Sequence, residues 1–460
     1  MELQFLGACR DVGRSAVLVD GAVLLDYGIQ VGEVTEYPEG SVDPKAVFVS
    51  HGHLDHTGAV PGLFGYGKSP LLFMTPPTRS LSEMLAKDTL KIARADRGRD
   101  ACGFCPFSED DLIQMFRQTV EIRPGEAIDL SDYDSSLNYT ARTFDAGHIP
   151  GAVSIFLKDR FSKKSVYYTG DLNQQDTRLV GKATQAAHAD ALIIESTYFG
   201  RDHPPRGETE NKFIDDILDT LHRGGCALIP AFAIGRTQEI LLLLHAYGIS
   251  PYIEGMGVEA YSRLIQFPDY LKNKSKKELV SAFQNSICLS PQGKPGGNAG
   301  NCGTGRNSGS SRKNGGSGGY ASHQHIRHAP LNGSVILTTS GMLEGGPALY
   351  YLEKLKNDPR SRLMLTGFQA EGTNGRRILE SKSFEKDGRI HRLSMQVERY
   401  DFSAHSGDSD LKKFTKSFCK NGVEKVFCIH GDDTPGFAEW IIENVGVDAY
   451  APEIGNRFSI

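Results

Sequence analysis

Residues 51–56, HGHLDH, place three imidazoles and one carboxylate directly after the apolar run AVFVS. Imidazole nitrogens and carboxylate oxygens are ligands that zinc prefers in proteins. A loop with His51 and His53 two residues apart directs both nitrogens to one cation and leaves Asp55 and His56 for a second. Isolated capping or surface histidines explain any one of these residues but not the group. The motif therefore predicts a metal site.

Three further candidate ligands stand at the ends of apolar runs. His148 closes ARTFDAGH, Asp171 closes SVYYTGD, and His430 follows KVFCI. An aspartate is able to bridge two cations, so Asp171 is the natural shared ligand, and His430 is a candidate for the second ion. Taken singly, each of these residues also fits an ordinary strand-end position.

The runs that carry these residues predict strands. SAVLV and AVLLDYG, joined by Asp20-Gly21, predict a hairpin, and more short strands follow up to DALIIES. From about residue 205, amphipathic segments such as ETENKFIDDILDTLHR alternate with buried strands such as CALIPAF, which is typical of a parallel sheet covered by helices. Short strands return near residue 390. This order predicts one domain interrupted by a second.

The composition is that of a soluble globular chain: 39% of the 460 residues are hydrophobic and 23% are charged. No run reaches the roughly 18 apolar residues of a membrane span. The N-terminal segment lacks the pattern of a signal peptide, and eight scattered cysteines show no secreted disulfide spacing, so we expect a cytoplasmic protein. The net charge of −5 means that a nucleic acid must bind at a local patch or at bound cations.

Residues 293–328 are rich in Gly, Ser and Asn, carry five Lys and Arg residues and contain no acidic residue. This stretch has too few apolar side chains to offset the entropy of ordering, which predicts a disordered surface insertion. A basic arm that contacts RNA phosphates is the alternative interpretation.

With Asp26 in LLDYG, Glu195 in IIESTY and His405 in DFSAHSG, the metal motifs resemble the metallo-β-lactamase superfamily and, within it, the β-CASP ribonucleases. That group holds the nuclease of the cleavage and polyadenylation specificity factor and RNase J. The strings PAFAIGRTQE, TSGMLEGGP and GFQAEGTNGRR match as well. The chain is most similar to the short archaeal members of the polyadenylation-factor branch.

The resemblance implies an α/β fold, a metallo-β-lactamase αββα sandwich with an inserted β-CASP α/β domain. Residues 1–200 would form the first part of the sandwich and residues 395–460 the second. Residues 201–394 would form the inserted domain, and the active site would lie in the cleft between the two.

The resemblance also implies two Zn²⁺ ions. The first would be held by His51, His53, His148 and Asp171, and the second by Asp55, His56, Asp171 and His430. Asp26 would orient the HGHLDH loop without binding metal. Adjacent cations activate water and neutralise phosphate oxygens, which implies hydrolysis of RNA to 5′-phosphate and 3′-hydroxyl products.

Asp55, Glu195 and His405 would be the catalytic residues. His405 would act as general acid, with Glu195 holding its imidazole in the useful tautomer. A surface ion pair is the alternative reading of Glu195, and a capping role before a helix is the alternative reading of His405. The backbone amides of TSGMLEGGP and two arginines would bind RNA, although each arginine fits a structural ion pair equally well. The residues predicted along the RNA path are Arg236, Ser340, Gly341, Gly345, Gly346 and Arg376.

Other activities stay open. A DNA-processing β-CASP nuclease, typified by Artemis, shares the earlier motifs but generally lacks a histidine at the position of His430, which favours RNA. A small-molecule hydrolase of the metallo-β-lactamase fold would lack the inserted domain, Glu195 and His405, and a non-catalytic scaffold would have lost ligands. The resemblance leaves endonuclease and 5′-3′ exonuclease action open, in RNA 3′-end processing, maturation or decay. It implies a homodimer or a complex with another β-CASP protein, and no membrane partner.

Overall fold

The computed structural model describes residues 1–32, 34–65, 68–96, 107–186, 188–272, 275–289 and 328–460. Within them, three large β-sheets are covered by helices, and a two-stranded hairpin packs beside the third sheet. The predicted insertion of residues 293–328 lies, apart from its last residue, outside the described residues.

Seven strands form the first sheet: β1 (Glu2–Gly7), β2 (Ala16–Val19), β3 (Val23–Leu25), β4 (Ala46–Phe48), β5 (Leu71–Met74), β6 (Thr119–Glu121) and β22 (Arg457–Ser459). Their order is β22-β1-β2-β3-β4-β5-β6. The predicted hairpin is confirmed, because β2 and β3 pair antiparallel on either side of Asp20-Gly21. Strands β3 to β6 run parallel, so β3 and β4 end at the same edge.

Seven strands also form the second sheet: β7 (Ala127–Asp129), β8 (Tyr139–Asp145), β9 (Val153–Asp159), β10 (Ser165–Tyr168), β11 (Ala191–Glu195), β20 (Lys425–Ile429) and β21 (Asp448–Tyr450). Their order is β21-β20-β11-β10-β9-β8-β7. The neighbours β10, β11 and β20 run parallel, so the residues that follow them meet at one edge of the sheet.

These two sheets pack face to face, because alternate side chains of each, such as Phe5 and Phe48 from the first and Ile155 and Phe427 from the second, share one apolar core. Helices cover both outer faces. The layers therefore form the αββα sandwich that the sequence predicts. Its helices are α1 (Leu54–Thr57), α2 (Pro76–Asp96), α3 (Glu109–Arg117), α10 (Asp408–Cys419) and α11 (Thr434–Val445).

The third sheet is parallel throughout, as the alternating pattern predicts. Its strands are β12 (Cys226–Pro230), β13 (Tyr252–Glu254), β14 (Ile287–Cys288), β15 (Ser334–Thr338), β16 (Arg362–Leu365) and β19 (Gln396–Arg399), in the order β14-β13-β15-β12-β16-β19. The hairpin beside it consists of β17 (Ser383–Lys386) and β18 (Arg389–Arg392).

Helices pack on both faces of this third sheet. They are α4 (Arg206–His222), α5 (Arg236–Ala246), α6 (Met256–Leu264), α7 (Ser275–Gln284), α8 (Gly346–Leu355) and α9 (Asn374–Ser381). None of the helices in the described ranges combines the length and the apolar character needed to cross a bilayer.

The chain passes between the sandwich and the third-sheet unit twice. We propose that it leaves the sandwich after β11 and returns after Arg399, because β19 pairs with β16 in the third sheet. The two units touch through a small apolar cluster and through Arg263, whose Nη1 donates to the carbonyl oxygen of Ser80 over 2.9 Å. The cluster consists of Leu81, Met84, Ala146, Ile149, Ala152, Ile234, Ala260 and Leu264.

Candidate metal centre

Strand ends from both sheets of the sandwich converge at one edge. Asp171, Glu195 and His430 stand at the ends of β10, β11 and β20, and the HGHLDH loop follows β4 opposite them. All seven residues predicted to bind metal lie here, in two groups whose ligand atoms are within 4.8 Å of one another: His51, His53, His148 and Asp171, and Asp55, His56, Asp171 and His430.

Two glycines permit this close approach. Gly170 has φ of +55°, and a Cβ on it would lie 2.8 Å from the Cβ of Ser50. A Cβ on Gly28 would lie 1.8 Å from the carbonyl oxygen of Asp55. Any side chain at these positions would push the metal-binding loop away from the strand ends.

In the first group, three imidazoles direct nitrogens at a common point. Nδ1 of His53 lies 3.1 Å from Nε2 of His51 and 3.1 Å from Nε2 of His148. Oδ2 of Asp171 lies 3.4 Å and 3.5 Å from the same two Nε2 atoms. Tetrahedral zinc with bonds of about 2.0–2.1 Å separates neighbouring ligand atoms by about 3.3 Å. The spacing of these side chains therefore fits one zinc ion.

The second group faces the other oxygen of Asp171. Oδ1 lies 3.2 Å from Nε2 of His56, and Nε2 of His430 lies 3.5 Å from Oδ2 of Asp55, too long for a good hydrogen bond. Neither Oδ1 of Asp171 nor Nε2 of His430 makes a well-formed hydrogen bond within the described residues, although both atoms are buried. Buried polar atoms without partners are rare in proteins. A second cation that shares Asp171 would satisfy both.

The protonation states of the two groups differ. Burial lowers the pKa of His51 and of His148 well below the usual value, so both imidazoles are neutral. Burial opposes ionisation of Asp171, but the surrounding imidazoles outweigh it and hold the pKa of this carboxyl well below its usual range. Burial also opposes protonation of His56, but neighbouring carboxylates outweigh it and raise its pKa. Because metals bind neutral imidazoles, loading the second group would release the His56 proton.

Asp26 lies behind the second group and takes no part in either ligand set. Its fully buried carboxylate accepts hydrogen bonds from the Ser50 amide over 2.6 Å and from the Tyr168 hydroxyl over 2.7 Å. Nδ1 of His56 lies 2.7 Å from the same carboxylate. Burial and the nearby carboxylates raise the pKa of Tyr168, which keeps its hydroxyl a donor. Asp26 is therefore placed to orient the His56 ring with Nε2 towards the metal side.

Glu195 and His405 form a pair beside the two groups. Nδ1 of His405 lies 3.0 Å and 3.1 Å from the two carboxylate oxygens of Glu195, which also accept from the Leu172 amide and the Thr197 hydroxyl. Nε2 of His405 lies 3.8 Å from Oδ2 of Asp171. Burial disfavours charge on His405, but Glu195 and Asp171 outweigh it and raise its pKa to about 9. The imidazole therefore carries the proton that a general acid needs.

The carbonyl groups of Ala404 and His405 each form a hydrogen bond with another histidine. Nδ1 of His148 lies 2.9 Å from the carbonyl oxygen of Ala404, and Nε2 of His203 lies 3.1 Å from the carbonyl oxygen of His405. Nδ1 of His203 lies 2.9 Å from Oδ2 of Asp401. Asp401 is the first residue of DFSAHSG, but the sequence predicts no role for it, and no motif marks His203. The available signal is their position in the two segments that join the sandwich to the third sheet.

The loops after β12, β15 and β16 pack together at the carboxyl end of the third sheet, where open α/β sheets commonly bind ligands. A Cβ on Gly341 would lie 2.9 Å from the amide nitrogen of Phe232, and Nε2 of Gln369 donates to the carbonyl oxygen of Gly341 over 3.2 Å. The Ser340 hydroxyl accepts from the Glu344 amide over 3.3 Å. The predicted RNA-binding loop with Ser340, Gly341, Gly345 and Gly346 lies at this edge.

The two predicted RNA-binding arginines have different surroundings. Arg236 begins α5, and its guanidinium makes no ion pair with a carboxylate of the described residues, whereas Arg206 beside it lies 3.4 Å from Glu239. Burial and the charge of Arg206 lower the pKa of Arg236 to about 10. Arg376 is exposed on α9, and its Nε lies 2.5 Å from Oε1 of Glu380. Arg236 is therefore a half-buried cation without an ion-pair partner in the part of the chain that the structure describes, and Arg376 belongs to a helix-surface ion pair.

Three family domains match this chain in succession. Residues 10–71 match the metallo-beta-lactamase superfamily, residues 237–378 match the Beta-Casp domain, and residues 390–452 match the Zn-dependent metallo-hydrolase RNA specificity domain. The order agrees with a sandwich interrupted by a second unit.

Curated relatives align along the whole chain. "Probable RNase MJ4" of Methanocaldococcus jannaschii is 34% identical over 100% of both chains, and "RNase aCSPSF2" of Saccharolobus solfataricus is 31% identical over 100% of this chain and 85% of its own. "Transcription termination factor FttA" of Methanocaldococcus jannaschii is 32% identical over 98% of this chain and 70% of its own. The chain therefore belongs to the β-CASP family of the metallo-β-lactamase superfamily and is a metal-dependent hydrolase.

Proposed function

We propose that this protein is a zinc-dependent ribonuclease that hydrolyses RNA phosphodiester bonds by a two-metal mechanism. The observation that carries the proposal is the arrangement around Asp171. Its Oδ2 faces the first ligand group, its Oδ1 faces the second, and Nε2 of His405 lies 3.8 Å from Oδ2. Two adjacent cation sites with a proton donor beside them are the parts that phosphodiester hydrolysis requires.

Zinc is the metal we propose, because both ligand groups consist of imidazoles and carboxylates in a spacing that fits tetrahedral coordination. When bound, the two ions would supply an activated water nucleophile and neutralise charge on the phosphate. The protein fixes the ligand geometry, with Asp171 between the groups and Asp26 behind His56. Asp55 counts among the catalytic residues because its carboxylate, 29% exposed, borders the open side of the second group.

His405 would donate its proton to the 3′ oxygen that leaves, which yields a 3′-hydroxyl and a 5′-phosphate. An alkoxide is a poor leaving group, so this proton transfer is worth about 10²- to 10⁴-fold in rate. Glu195 accepts from Nδ1 and thereby keeps Nε2 directed at the reacting side. Exchange with solvent would restore the proton after release of the product.

The third-sheet unit supplies the groups that favour a polymer over a small molecule. Arg236 donates from Nη1 to the carbonyl oxygen of Thr366, and the remaining donors of its guanidinium suit a phosphate. Gly235, directly before it, packs against Ile149, the neighbour of His148. The start of α5 therefore lies next to the metal centre, where a phosphate of the RNA backbone would contact Arg236.

Relatives named as RNases, and the description of the domain matched by residues 390–452, support RNA over DNA. The relative named a transcription termination factor supports a role at transcript ends. We propose a role in RNA 3′-end processing, maturation or decay. We propose endonuclease action, 5′-3′ exonuclease action or both, in the cytoplasm, as a homodimer or with another β-CASP protein.

The test uses one RNA of mixed sequence, labelled at its 5′ end in one sample and at its 3′ end in another, beside single-stranded DNA of the same sequence. Internal fragments from the zinc-loaded protein, absent with H405A and D171A, would support an endoribonuclease. Mononucleotides released from the 5′ end would support an exonuclease. Equal cutting of DNA would move the protein to the DNA-processing class, and no cutting of either would contradict the proposal.

A further inference from the structure

The backbone on both sides of the Ala404–His405 peptide bond is held by two imidazoles from different parts of the chain. His148, a ligand of the first metal group, bonds the Ala404 carbonyl oxygen over 2.9 Å. His203, which belongs to neither metal group, bonds the His405 carbonyl oxygen over 3.1 Å. The general acid therefore sits on a peptide segment fixed from the metal side and from the opposite side.

The two ring nitrogens of His203 face the His405 carbonyl oxygen and the Asp401 carboxylate. The His405 carbonyl oxygen only accepts, and the Asp401 carboxylate also accepts from the Ser403 amide over 3.1 Å. Burial opposes ionisation of Asp401, but His203 outweighs it and lowers its pKa to about 2. Both ring nitrogens of His203 therefore face acceptors, and a ring that donates from both satisfies each of them.

Asp401 is itself anchored in the inserted unit. Its neighbours Tyr400 and Phe402 are buried in the core of the third sheet, where both rings pack edge-on against Phe213 at centroid distances of 4.9 Å and 5.1 Å. Three residues after Phe402, the chain reaches the metal centre at His405. The His203–Asp401 pair is therefore placed to transmit the position of the inserted unit to His405.

His203 is anchored on the other connecting segment. Its ring packs against Tyr198, three residues after Glu195, at a centroid distance of 4.4 Å. Asp202 beside it accepts hydrogen bonds from the amide and the hydroxyl of Ser409 over 2.8 Å and 2.7 Å. The segment that follows Glu195 and the segment that carries His405 are thus joined at several points.

We propose that His203 and Asp401 are positioning residues that hold the His405 imidazole between Glu195 and Asp171. The proposal rests on the proposed function, because it assigns the pair a role in the proton transfer to the leaving oxygen. Neither side chain touches the metal groups, so their effect passes through the His405 backbone. A displacement of about 1 Å at a reacting group is sufficient to cost about a hundredfold in rate.

The kinetic test compares two substrates that differ in the leaving atom. One is RNA with the ordinary 3′-oxygen linkage, and the other is the same RNA with a 3′-sulfur linkage, whose thiolate leaves without a proton. We expect H203A to lower kcat for the oxygen substrate by about tenfold to a hundredfold with KM and zinc content unchanged. The rate for the sulfur substrate should stay nearly that of the wild type. H405A provides the reference for complete loss of the acid.

Two further variants keep the test sharp. Glutamine in H203Q retains one donor for the His405 carbonyl, so its loss should be smaller than that of H203A. H391A serves as the matched control, because His391 is a half-buried histidine that lies 3.0 Å from Nζ of Lys356 and does not contact the 404–405 segment. Equal loss on both substrates, or no loss in H203A, would overturn the positioning role.

Hydrogen–deuterium exchange of the zinc-loaded protein separates this proposal from the proposed function. We expect faster exchange of the amides of residues 403–406 in H203A and D401A than in the wild type, with residues 191–195 unchanged. Unchanged exchange at 403–406 would refute the positioning role whatever the substrate is. Failure of the wild-type protein to cut RNA would instead refute the ribonuclease assignment and leave the exchange result standing.

Discussion

The carboxylate of Asp26 lies 2.7 Å from Nδ1 of His56, on the side of the ring away from the metal groups. Asp26 has φ of +56°, a left-handed conformation that aspartate and asparagine tolerate better than most residues. The turn after β3 thus directs a carboxylate at a ligand rather than at a cation. We therefore expect Asp26 to affect how firmly the second group holds metal.

We predict that D26N lowers the zinc affinity of the second group by about tenfold to a hundredfold, because loss of an outer carboxylate weakens the ligand that it orients. Competition for zinc between a chelator and the isolated protein measures this affinity. D20N is the matched control, since Asp20 also has positive φ and accepts from a tyrosine, Tyr139, over 2.8 Å. An equal loss of affinity in both variants would argue against the orienting role.

Removing metal should destabilise the protein. Zinc that binds the folded state at a hundredfold excess over its Kd adds about 2.7 kcal/mol to the free energy of unfolding. We therefore expect a chelator to lower the Tm of the wild type clearly and that of D171A little, because Asp171 belongs to both groups. D190N, which alters an aspartate bonded to Ser165, should keep the wild-type response. Calorimetry with and without chelator gives the comparison.

E195Q should lower kcat on RNA by about a hundredfold while zinc content stays unchanged, because Glu195 contacts His405 and belongs to neither of the two proposed zinc ligand sets. Without the carboxylate charge, the imidazole loses the partner that favours its protonated form. E254Q is the matched control, since Glu254 is a buried strand-end glutamate bonded to the Tyr351 hydroxyl over 2.8 Å. Loss of zinc in E195Q would show instead that Glu195 supports the metal site.

R236A and R376A should differ in RNA binding. In the H405A background, R236A should weaken binding and reduce the salt dependence by about one phosphate contact, because Arg236 is a half-buried cation without an ion-pair partner among the described residues. R376A should change binding little, because Arg376 is exposed and bonded to Glu380. Fluorescence anisotropy at several salt concentrations measures how the RNA affinity of each variant depends on salt. The opposite ranking would place the RNA on the α9 surface.

Much of the metal centre is predictable from sequence because its residues are neighbours in the chain or end apolar strands. HGHLDH is compact, and Asp171 and His430 each follow a short strand run, so the parallel pairing of β10, β11 and β20 brings them together. The parallel third sheet follows from the alternation of apolar and amphipathic segments, whereas the sandwich is predicted only from the resemblance to the family. The roles of these residues stay predictions until metal and RNA are measured.

Other relationships depend on contacts that no local pattern records. His203 and Asp401 are 198 positions apart, and although Asp401 begins DFSAHSG, nothing in either segment predicts their contact. The sequence likewise gives no reason to rank Arg236 above Arg376, since the difference arises from burial at the start of α5 and from an ion pair on α9. The strand β19 is short and half-buried, so its membership of the third sheet becomes evident only from its pairing with β16.

Only three positions separate Phe402, in the core of the third-sheet unit, from His405 at the metal centre. Removal of the third-sheet unit should therefore disturb the position of His405. Every proposed zinc ligand comes from the sandwich, so a version in which a short linker replaces residues 201–399 should still bind zinc. It would lack Phe213, against which Tyr400 packs, and His203, the partner of Asp401, so the His405 imidazole would be held less firmly. Such a truncated protein should behave as a simple esterase, active on phosphodiesters with acidic leaving groups and inactive on RNA. On this proposal, the inserted unit is part of the scaffold that holds the proton donor.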